Sequence, residues 1–594
     1  MKMPEINLSK NQLFTFFVLF WIGLVWLALA LSLLWIFYTI ILTSYIFLGG
    51  LVLIYLVVFN KRHLEFNHRF ILILILSLAA VFVFAAYTNP TIFSGRDQGS
   101  LSEAAIQLAQ NHKMTFSFPA EKAFFKIYGQ GPALNFPGFI YTSNGDLMTQ
   151  FPLGYISWLA IFYSIFGLNG FVVANSLTFF IFLFSFYLVA RYYLRPSSSI
   201  AALLLILTSF IFSWFFKFTL SENLALMLTW FGIYEFVLFT KNRKRLYLLS
   251  AITAFSLLLF SRVEAIAFLA ILVIILLIKY KDWKYLLFVV IGKKLLIVLG
   301  GMLLLYLFNI AIDTQSYSAM LKGILSPFIS LGNGLRNTNS VSFFSTMIYT
   351  IKVLFSYALF NYVLFGIVGF IYLWKHKKFE ILVPFLILLP SFWYVIHPSI
   401  SSDYPWMLRR FVFAVIPVSI LYTVWFFDWF FQKRRYFFYI FTGLIMLSNL
   451  IIFIPYLTVA PDKNLMSQIQ TISNYFSSSD LILVDRGATG DGWAMMTGPM
   501  NFLYGKQAVY FFNPNDLTKI NLKQFHAIYL IIPDFNIDSY RKNGIFGRLI
   551  PMRDYKIQTS MLDIQTNKQE LYNTPIELPD NTNVTTYGKI YLLR

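Results

Sequence analysis

The feature that most constrains this chain is a series of apolar runs of about 20 residues, the length that a helix needs to cross a hydrocarbon core of roughly 30 Å. Hydrophobic residues make up 58% of the 594 residues, and charged residues only 12%. We therefore predict a polytopic α-helical membrane protein. The predicted spans are 12–33, 36–59, 70–88, 169–190, 199–216, 221–240, 246–261, 264–279, 293–312, 346–373, 379–397, 411–431 and 436–457.

The positive charge of the chain indicates its orientation in the membrane. The formal net charge is +20, yet the lysines and arginines cluster in short gaps between apolar runs, so the charge does not predict a nucleic-acid partner. Because such gaps are typical of cytoplasmic loops, one orientation places every cluster inside, with a cytoplasmic amino terminus and about 13 spans. The clusters lie at 61–69, 191–195, 241–245, 279–284, 375–378 and 433–435.

Residues 88–150 form the longest polar interruption before the carboxy-terminal region, and the third span delivers them to the outer face. Apolar residues such as Leu101, Ala104 and Leu108 recur there at helical spacing, which predicts an interfacial helix over 97–110 that begins near Asp97. The next apolar run, 151–166, is short for a span. We expect it to lie at the interface or to dip into the membrane.

Charged residues at several separate helix ends fall on the same outer side as Asp97 in this orientation. They are found at Ser221-Glu222, at Arg262-Val263-Glu264, in the loop 313–345 and in the segment 403–410. Ionisable groups at membrane depth usually mark function, and helix ends on one side can meet in one cavity. The sequence therefore predicts a single site built from these segments.

The composition changes after Pro455, where short apolar runs are bounded by Gly, Pro, Asn and Asp. This pattern predicts strands of a small α/β domain over 460–594, outside the membrane, with strands near 480–485, 508–512, 526–532 and 589–593. The segment 487–492, Gly-Ala-Thr-Gly-Asp-Gly, follows the first strand but matches neither the P-loop nor the dinucleotide fingerprint. We interpret it as a loop, with ligand binding as the alternative.

Several short motifs in this order resemble those of GT-C glycosyltransferases of the protein O-mannosyltransferase and aminoarabinose transferase type, glycosyltransferase family 39. They are Gly95-Arg96-Asp97-Gln98-Gly99, Phe151-Pro152-Leu153-Gly154-Tyr155, Leu220-Ser221-Glu222, Ser261-Arg262-Val263-Glu264 and Asp403-Tyr404-Pro405-Trp406-Met407-Leu408-Arg409-Arg410-Phe411. The resemblance covers about 80–430. Compared with the eukaryotic mannosyltransferases, the chain has two extra amino-terminal spans, Asp-Gln in place of an Asp-Glu pair and no repeat resembling the lumenal β-trefoil, which leaves the acceptor open.

The resemblance implies a GT-C fold, with a transmembrane domain over 1–459 whose first catalytic loop is 88–150. It also implies transfer of a sugar from a polyprenyl-phosphate donor to an acceptor hydroxyl of a protein, lipid or glycan at the outer face of the plasma membrane. Such transfer needs a base to deprotonate the acceptor and cations to stabilise the departing phosphate. Asp97 is the candidate base; its alternative role is to cap the helix.

The remaining candidates follow from residue chemistry. Arg262, Arg409 and Arg410 are candidate phosphate ligands because guanidinium binds phosphate bidentately, although arginines also anchor helices at the interface. Glu222 is a second catalytic candidate, although a carboxylate at a helix start also complements the helix dipole. The further candidates for substrate binding are Arg96, Glu103, Glu264, Tyr404 and Trp406.

We predict no metal site and no certain cofactor. The sequence contains no His-Glu-x-x-His or Asp-x-Asp motif, so a divalent metal would have only Asp97 and Glu222 as possible ligands. The absence of cysteine excludes disulfides and thiolate chemistry.

Two other function classes remain open. A transporter or flippase of lipid-linked substrates would place polar groups at the bilayer midplane, where these spans carry few, and would often show repeated halves. An outer-face glycan polymerase or ligase would share the lipid donor and the topology. We expect its signature in a late loop instead of the first.

Overall fold

The structure of the protein is a computed structural model that describes residues 10–59, 68–93, 95–280, 292–312, 314, 317, 318, 343–396, 403–563 and 576–594. Within these residues seven helices are long and apolar enough to cross a membrane. They are Asn11–Leu33, Thr39–Val58, His68–Ala86, Asn169–Tyr193, Ser221–Asn242, Phe379–Ile396 and Arg435–Leu457. The predicted polytopic helical membrane protein is confirmed. Most of the predicted outer loop 313–345 lies outside the described residues.

Three pairs of helices also have the length and composition of a span but are bent at a short break, which raises the number of candidate spans in the described residues to ten. The pairs are Pro196–Thr208 with Phe210–Phe216, Ser345–Ser356 with Phe360–Lys375, and Trp406–Val412 with Val415–Phe430. The shorter apolar helices are Leu153–Phe166, Arg245–Leu258, Ala265–Tyr280 and Leu296–Ile312. The predicted total of about 13 requires three of these shorter helices to cross as well.

The predicted span 346–373 differs most from the structure. Two helices bent by 109° replace it, and the break lies at Ala358. Ala358 has a φ of 57°, and the Leu359 N–H donates to the carbonyl of Leu354, a pattern typical of a helix C-terminus. Because no glycine or proline marks this break, the hydrophobic pattern alone predicted a continuous helix.

The helix Ser221–Asn242 lies at the centre of the helical domain. In its apolar stretch of 18 residues, 94% of the residues are buried inside the protein. In Thr39–Val58, at the periphery, the corresponding share is 6%. It packs against Asn169–Tyr193 and Arg245–Leu258, and in lipid its backbone hydrogen bonds are satisfied within the helix. Its first turn, with Glu222, therefore lies at the middle of one end of the bundle.

The region 88–150 folds into more than the one helix that was predicted. The helix Asp97–Asn111 begins and ends close to the predicted bounds. A second helix, Pro119–Tyr128, and a small antiparallel sheet follow. The strands Thr115–Phe116, Leu147–Thr149, Phe139–Tyr141 and Gly131–Pro132 lie in that order across the sheet.

The carboxy-terminal region contains the predicted α/β fold. The order of strands across its sheet is Gln507–Phe511, Leu481–Asp485, Ile528–Pro533, Asn581–Leu593 and Leu549–Leu562. The first three strands are parallel to one another, and Asn581–Leu593 is antiparallel to both of its neighbours. The helices Leu465–Ser473, Thr497–Phe502 and Ile537–Lys542 accompany it. The strand Leu549–Leu562 was not predicted, because its many polar, exposed residues lack a continuous apolar run.

The carboxy-terminal domain docks directly on the region 88–150. A Cβ on Gly95 would lie 2.0 Å from the Trp493 carbonyl oxygen, so this approach requires glycine. Asn135 and Tyr510 exchange two hydrogen bonds, of 2.6 and 3.2 Å. The carboxy-terminal domain thus lies beside the start of the helix that carries Asp97.

Candidate active site

Asp97 is the first residue of the helix Asp97–Asn111, and its carboxylate reaches outward from it. Arg96 occupies the N-cap position, and no side chain of the described residues makes a capping hydrogen bond there. The Asp97 Oδ2 instead accepts a hydrogen bond of 2.5 Å from Arg409 Nη1. The Asp97 side chain is 39% exposed, whereas that of Arg409 is 6% exposed. The Asp97 carboxylate is thus held by Arg409, and the described residues show no capping hydrogen bond at this helix start.

A chain of buried ion pairs runs inward from Asp97. Arg409 Nε lies 3.8 Å from Glu222 Oε1, and Arg262 Nη1 donates to the same oxygen at 2.8 Å. Arg262 also binds Glu264 bidentately, at 2.6 and 3.2 Å. We call Asp97, Glu222, Arg262, Glu264, Arg409 and Arg410 the charged cluster.

Arg410 is the cation of the charged cluster with the weakest pairing. Its Nη1 lies 3.9 Å from Glu264 Oε1, and its guanidinium lies over the ring of Tyr394. Its side chain is 22% exposed, against 6% for Arg409 and Arg262. In the described part of the chain, the buried Nε atoms of Arg409 and Arg410 have no hydrogen-bond partner. The Arg409 Nε faces Glu222 Oε1 at 3.8 Å, which is beyond hydrogen-bond distance.

Glu222 and Arg262 are placed to position other groups. The Glu222 side chain is 2% exposed and lies between two arginines, so it holds their guanidinium groups in place. Arg262 is occupied by Glu222 and Glu264, which leaves it less suited than Arg409 or Arg410 to bind a phosphate. Leaving any of these buried charges without its partner is costly, so the network fixes its own geometry.

Arg96 forms a second pair beside the charged cluster. Its Nη2 binds Asp403 Oδ2 at 2.5 Å, and its guanidinium lies 4.7 Å from the ring centre of Trp406 and 4.3 Å from that of Trp493. Trp406 also lies under Arg409, at 5.0 Å. Arg96 and Trp406 thus lie next to the charged cluster, within reach of the same ligand.

Glu103 and Tyr404 are not part of the charged cluster. Glu103 is 1% exposed, on a later turn of its helix, where its carboxylate lies against Gly498 of the carboxy-terminal domain. The ring of Tyr404 packs near that of Tyr357. Both residues are placed to support the fold around the site, so substrate binding by either remains an untested prediction.

Sequence reasoning missed three residues of this region. Tyr394 donates a 2.6 Å hydrogen bond to Glu264, and no motif marks it. Asp403 is the first residue of a quoted motif, but no role was predicted for it, and the structure pairs it with Arg96. Trp493 comes from the distant carboxy-terminal domain, and only its place directly after the 487–492 segment could have drawn attention to it.

The described residues contain no group of three or more His, Cys, Asp or Glu side chains that could hold a metal ion. Asp97 and Glu222, the possible ligands considered from the sequence, are separated by Arg409, which contacts both carboxylates. The geometry thus pairs each of these carboxylates with arginine.

Comparisons with known proteins find similarity in structure alone. No family model matches the chain. No curated protein sequence matches it either.

Solved structures of membrane glycosyltransferases are similar to this chain in fold. ArnT from Cupriavidus metallidurans in the apo state is 12% identical, with 86% of this chain and 97% of that chain covered and a TM-score of 0.46. The same protein bound to undecaprenyl phosphate is 13% identical over the same shares, with a TM-score of 0.45. The Archaeoglobus fulgidus oligosaccharyltransferase, in complex with Zn and sulfate, is 12% identical, with 77% and 68% covered and a TM-score of 0.47. All three TM-scores lie below 0.5.

Proposed function

We propose that this protein is an integral membrane glycosyltransferase that moves a sugar from a polyprenyl-phosphate donor to an acceptor hydroxyl. One observation carries the proposal. A partly exposed carboxylate, Asp97, binds Arg409, and the next residue, Arg410, is paired only weakly, with Glu264 at 3.9 Å. This arrangement suits a reaction that needs a base on one side and a phosphate-binding group on the other.

The proposed reaction is a displacement at the anomeric carbon of the donor sugar. Asp97 takes the proton of the acceptor hydroxyl while the acceptor oxygen forms a bond to that carbon. The bond between the carbon and the phosphate oxygen breaks, and its electron pair goes to the polyprenyl phosphate. Arg409 and Arg410 stabilise the negative charge that develops on the leaving phosphate.

Donor binding also changes the state of Asp97 in this proposal. The charged cluster contains three arginines and three carboxylates, so its charges balance before any ligand binds. A phosphate that binds Arg409 competes with Asp97 for the same guanidinium. The carboxylate is thereby released to accept the acceptor's proton only when the donor is in place.

The proposed orientation puts this site outside the cell. The basic clusters between spans predict a cytoplasmic amino terminus, and the carboxy-terminal domain contacts the same region as Asp97. Because the chain has no cysteine, a single cysteine in 460–594 gives a clean label. We expect it to react with an impermeant thiol reagent in intact cells, whereas Lys433→Cys reacts only after lysis. The reverse pattern would contradict the orientation.

The alternatives differ in what the protein does with the same lipid. A flippase would move the lipid without breaking a bond, and a polymerase or ligase would transfer a whole glycan. A flippase would need polar groups inside the spans. Glu235 is such a group, a buried carboxyl in the helix Ser221–Asn242, and it accepts a hydrogen bond from Thr15 of another span. The chain of paired charges lies instead at the end of the bundle, which favours chemistry at one face.

The test is a transfer assay with the purified protein, guided by the lipid that co-purifies with it. Mass spectrometry of that lipid identifies the donor, and the matched sugar-labelled polyprenyl phosphate is then supplied with protein, lipid and glycan acceptors. We expect labelled acceptor and free polyprenyl phosphate in equal amounts. Movement of intact lipid across vesicles without release of polyprenyl phosphate would support a flippase and contradict the proposal.

A further inference from the structure

A cavity of about 420 Å³ lies where the helical domain, the region 88–150 and the carboxy-terminal domain meet. This volume is within the range of small-molecule sites. Arg96 and Gln98, the sequence neighbours of Asp97, line the cavity. The Asp97 side chain binds Arg409 instead. The cavity therefore borders the charged cluster along the first turn of one helix.

The carboxy-terminal domain supplies one wall of the cavity through its segment 490–494. This segment overlaps the Gly-rich stretch 487–492, which the sequence predicts to be a loop. The Trp493 N–H donates to Asp491 Oδ1 at 2.9 Å, which holds the loop, and Gly95 packs against the Trp493 backbone. The wall is thus fixed against the helix that carries Asp97.

Tryptophans contribute to the apolar part of the cavity surface, together with residues such as Phe93 and Phe218. Trp493 and Trp406 both line it, and the guanidinium of Arg96 lies over both rings and fixes their positions. Trp214 lines it from the helical domain. Although Trp493 contacts Arg96, it is 40% exposed. Rigid aromatic side chains of this kind offer a large contact surface to the C–H groups of a ligand.

Carboxyl groups form the polar part of the cavity surface. Asp462 and Asp491 line it, and burial together with the neighbouring Asp491 raises the pKa of Asp462 to about 8. Burial also raises the pKa of Asp491. A carboxyl with a pKa of about 8, such as that of Asp462, carries its proton at neutral pH and can both donate and accept hydrogen bonds, as a hydroxyl-bearing ligand requires. The Gln98 Oε1 is buried and has no hydrogen-bond partner among the described residues, so it offers a further acceptor.

The charges distinguish this cavity from the proposed phosphate site. Arg96 lines the wall and is already paired with Asp403, whereas Asp462 and Asp491 add acidic groups. An anionic phosphate is disfavoured there, because Arg96 is the one cation among the described lining residues and Asp403 already pairs with it. An uncharged ligand with many hydroxyls fits both the carboxyl groups and the tryptophans.

We propose that this cavity is a carbohydrate-binding subsite in which the segment 490–494 of the carboxy-terminal domain holds an uncharged sugar ring. This inference rests on the proposed glycosyltransferase function and gives the carboxy-terminal domain a role in it. The ring belongs either to the donor or to a glycan acceptor. A sugar ring from either source would fit the cavity, and steady-state kinetics distinguishes the two.

The experiment measures transfer by the full-length protein while donor and acceptor concentrations are varied separately. Trp493→Ala and Asp462→Asn are compared with Tyr587→Ala, an exposed aromatic of the same domain that lies outside the cavity. We expect both cavity variants to raise one KM by about tenfold with kcat changed by less than about threefold. A raised donor KM assigns the ring to the donor, and a raised acceptor KM assigns it to the acceptor. If the donor KM and the acceptor KM of both cavity variants stay within twofold of those of Tyr587→Ala, the subsite proposal is wrong.

A binding measurement separates this inference from the proposed function. Saturation-transfer NMR with neutral methyl hexosides and pentosides reports binding whether or not the protein transfers sugar. We expect a signal from the wild-type protein that Asp462→Asn and Trp493→Ala weaken and Tyr587→Ala preserves. Binding without transfer would contradict the proposed function alone. If transfer occurs but no methyl glycoside binds and neither KM changes, the subsite is wrong and the proposed function stands.

Discussion

Two groups of ion pairs lie at opposite ends of the helical domain, and they differ in burial. In the charged cluster, the side chains of Glu222, Arg262 and Glu264 are at most 8% exposed. At the other end, Asp428 pairs with Arg435 and lies near Arg195, whose side chain is 52% exposed. The first group is a connected network with a buried centre and a partly exposed Asp97. The second is a smaller group at the rim, in which the side chains of Asp428 and Arg435 are 13% and 26% exposed.

The difference indicates what each group is for. A rim pair is solvated in part, contributes little to stability and suits the anchoring of helix ends at the interface. A buried network carries a large desolvation cost, so it is weak evidence for stability. The proposed phosphate and proton transfer would give a reason to retain these six charges, Asp97 among them, at one end of the bundle.

Asp97→Asn should give the largest difference between the two ends. An amide of the same size cannot take a proton, so we expect sugar transfer to fall by about 10²–10⁴-fold. The matched control is Asp428→Asn, which changes the same chemical group at the other end and should retain transfer. Initial rates of both purified variants, with donor binding measured alongside, check this. Near-normal turnover by Asp97→Asn would remove it as the base and leave Glu222 to be tested.

Glu222→Gln should destabilise the protein, because it leaves Arg262 and Arg409 partly uncompensated in a buried place. Removing one partner of a buried ion pair costs about 3–5 kcal/mol. Thermal unfolding in detergent, followed by tryptophan fluorescence, measures the loss. An unchanged midpoint would show that water or a rearranged arginine compensates for the lost charge, and that the network is less rigid than its geometry indicates.

Arg409→Ala and Arg410→Ala should each weaken donor binding or slow transfer by about 10- to 100-fold, the scale of a lost charge-assisted hydrogen bond. Arg409→Lys should restore only part of the loss, because a point charge cannot reproduce the planar fork of guanidinium. Kinetics at varied donor concentration are the measurement. Wild-type behaviour of both alanine variants would reassign these arginines to interface anchoring.

Arg435→Ala should give the smallest effect. It removes one partner of Asp428, but the carboxylate keeps its hydrogen bond from Ser198 and its proximity to Arg195 at 4.0 Å. We expect transfer rates unchanged and a small shift in the unfolding midpoint. A loss of transfer comparable with that of Arg409→Ala would contradict the contrast between the two ends.

The sequence predicted the membrane class, the helix at Asp97 and the convergence of Arg96, Glu222, Arg262 and Arg409, because hydropathy and charge are local properties that repeat along the chain. It did not predict the break at Ala358, where no glycine or proline interrupts the apolar pattern. It also gave no sign that the Glu103 side chain lies against Gly498 of the carboxy-terminal domain.

Hydropathy and charge in the sequence were enough to predict that the chain crosses a membrane many times and which charged residues share one end of the bundle. The pairing of those charges, and the position of Trp493 and Asp491 beside Arg96, became evident only from the packing of the domains. The physical reason is distance along the chain. Hydrophobic periodicity is set within one helix, whereas a contact between residues some hundreds of positions apart depends on how whole domains pack, which no local pattern encodes.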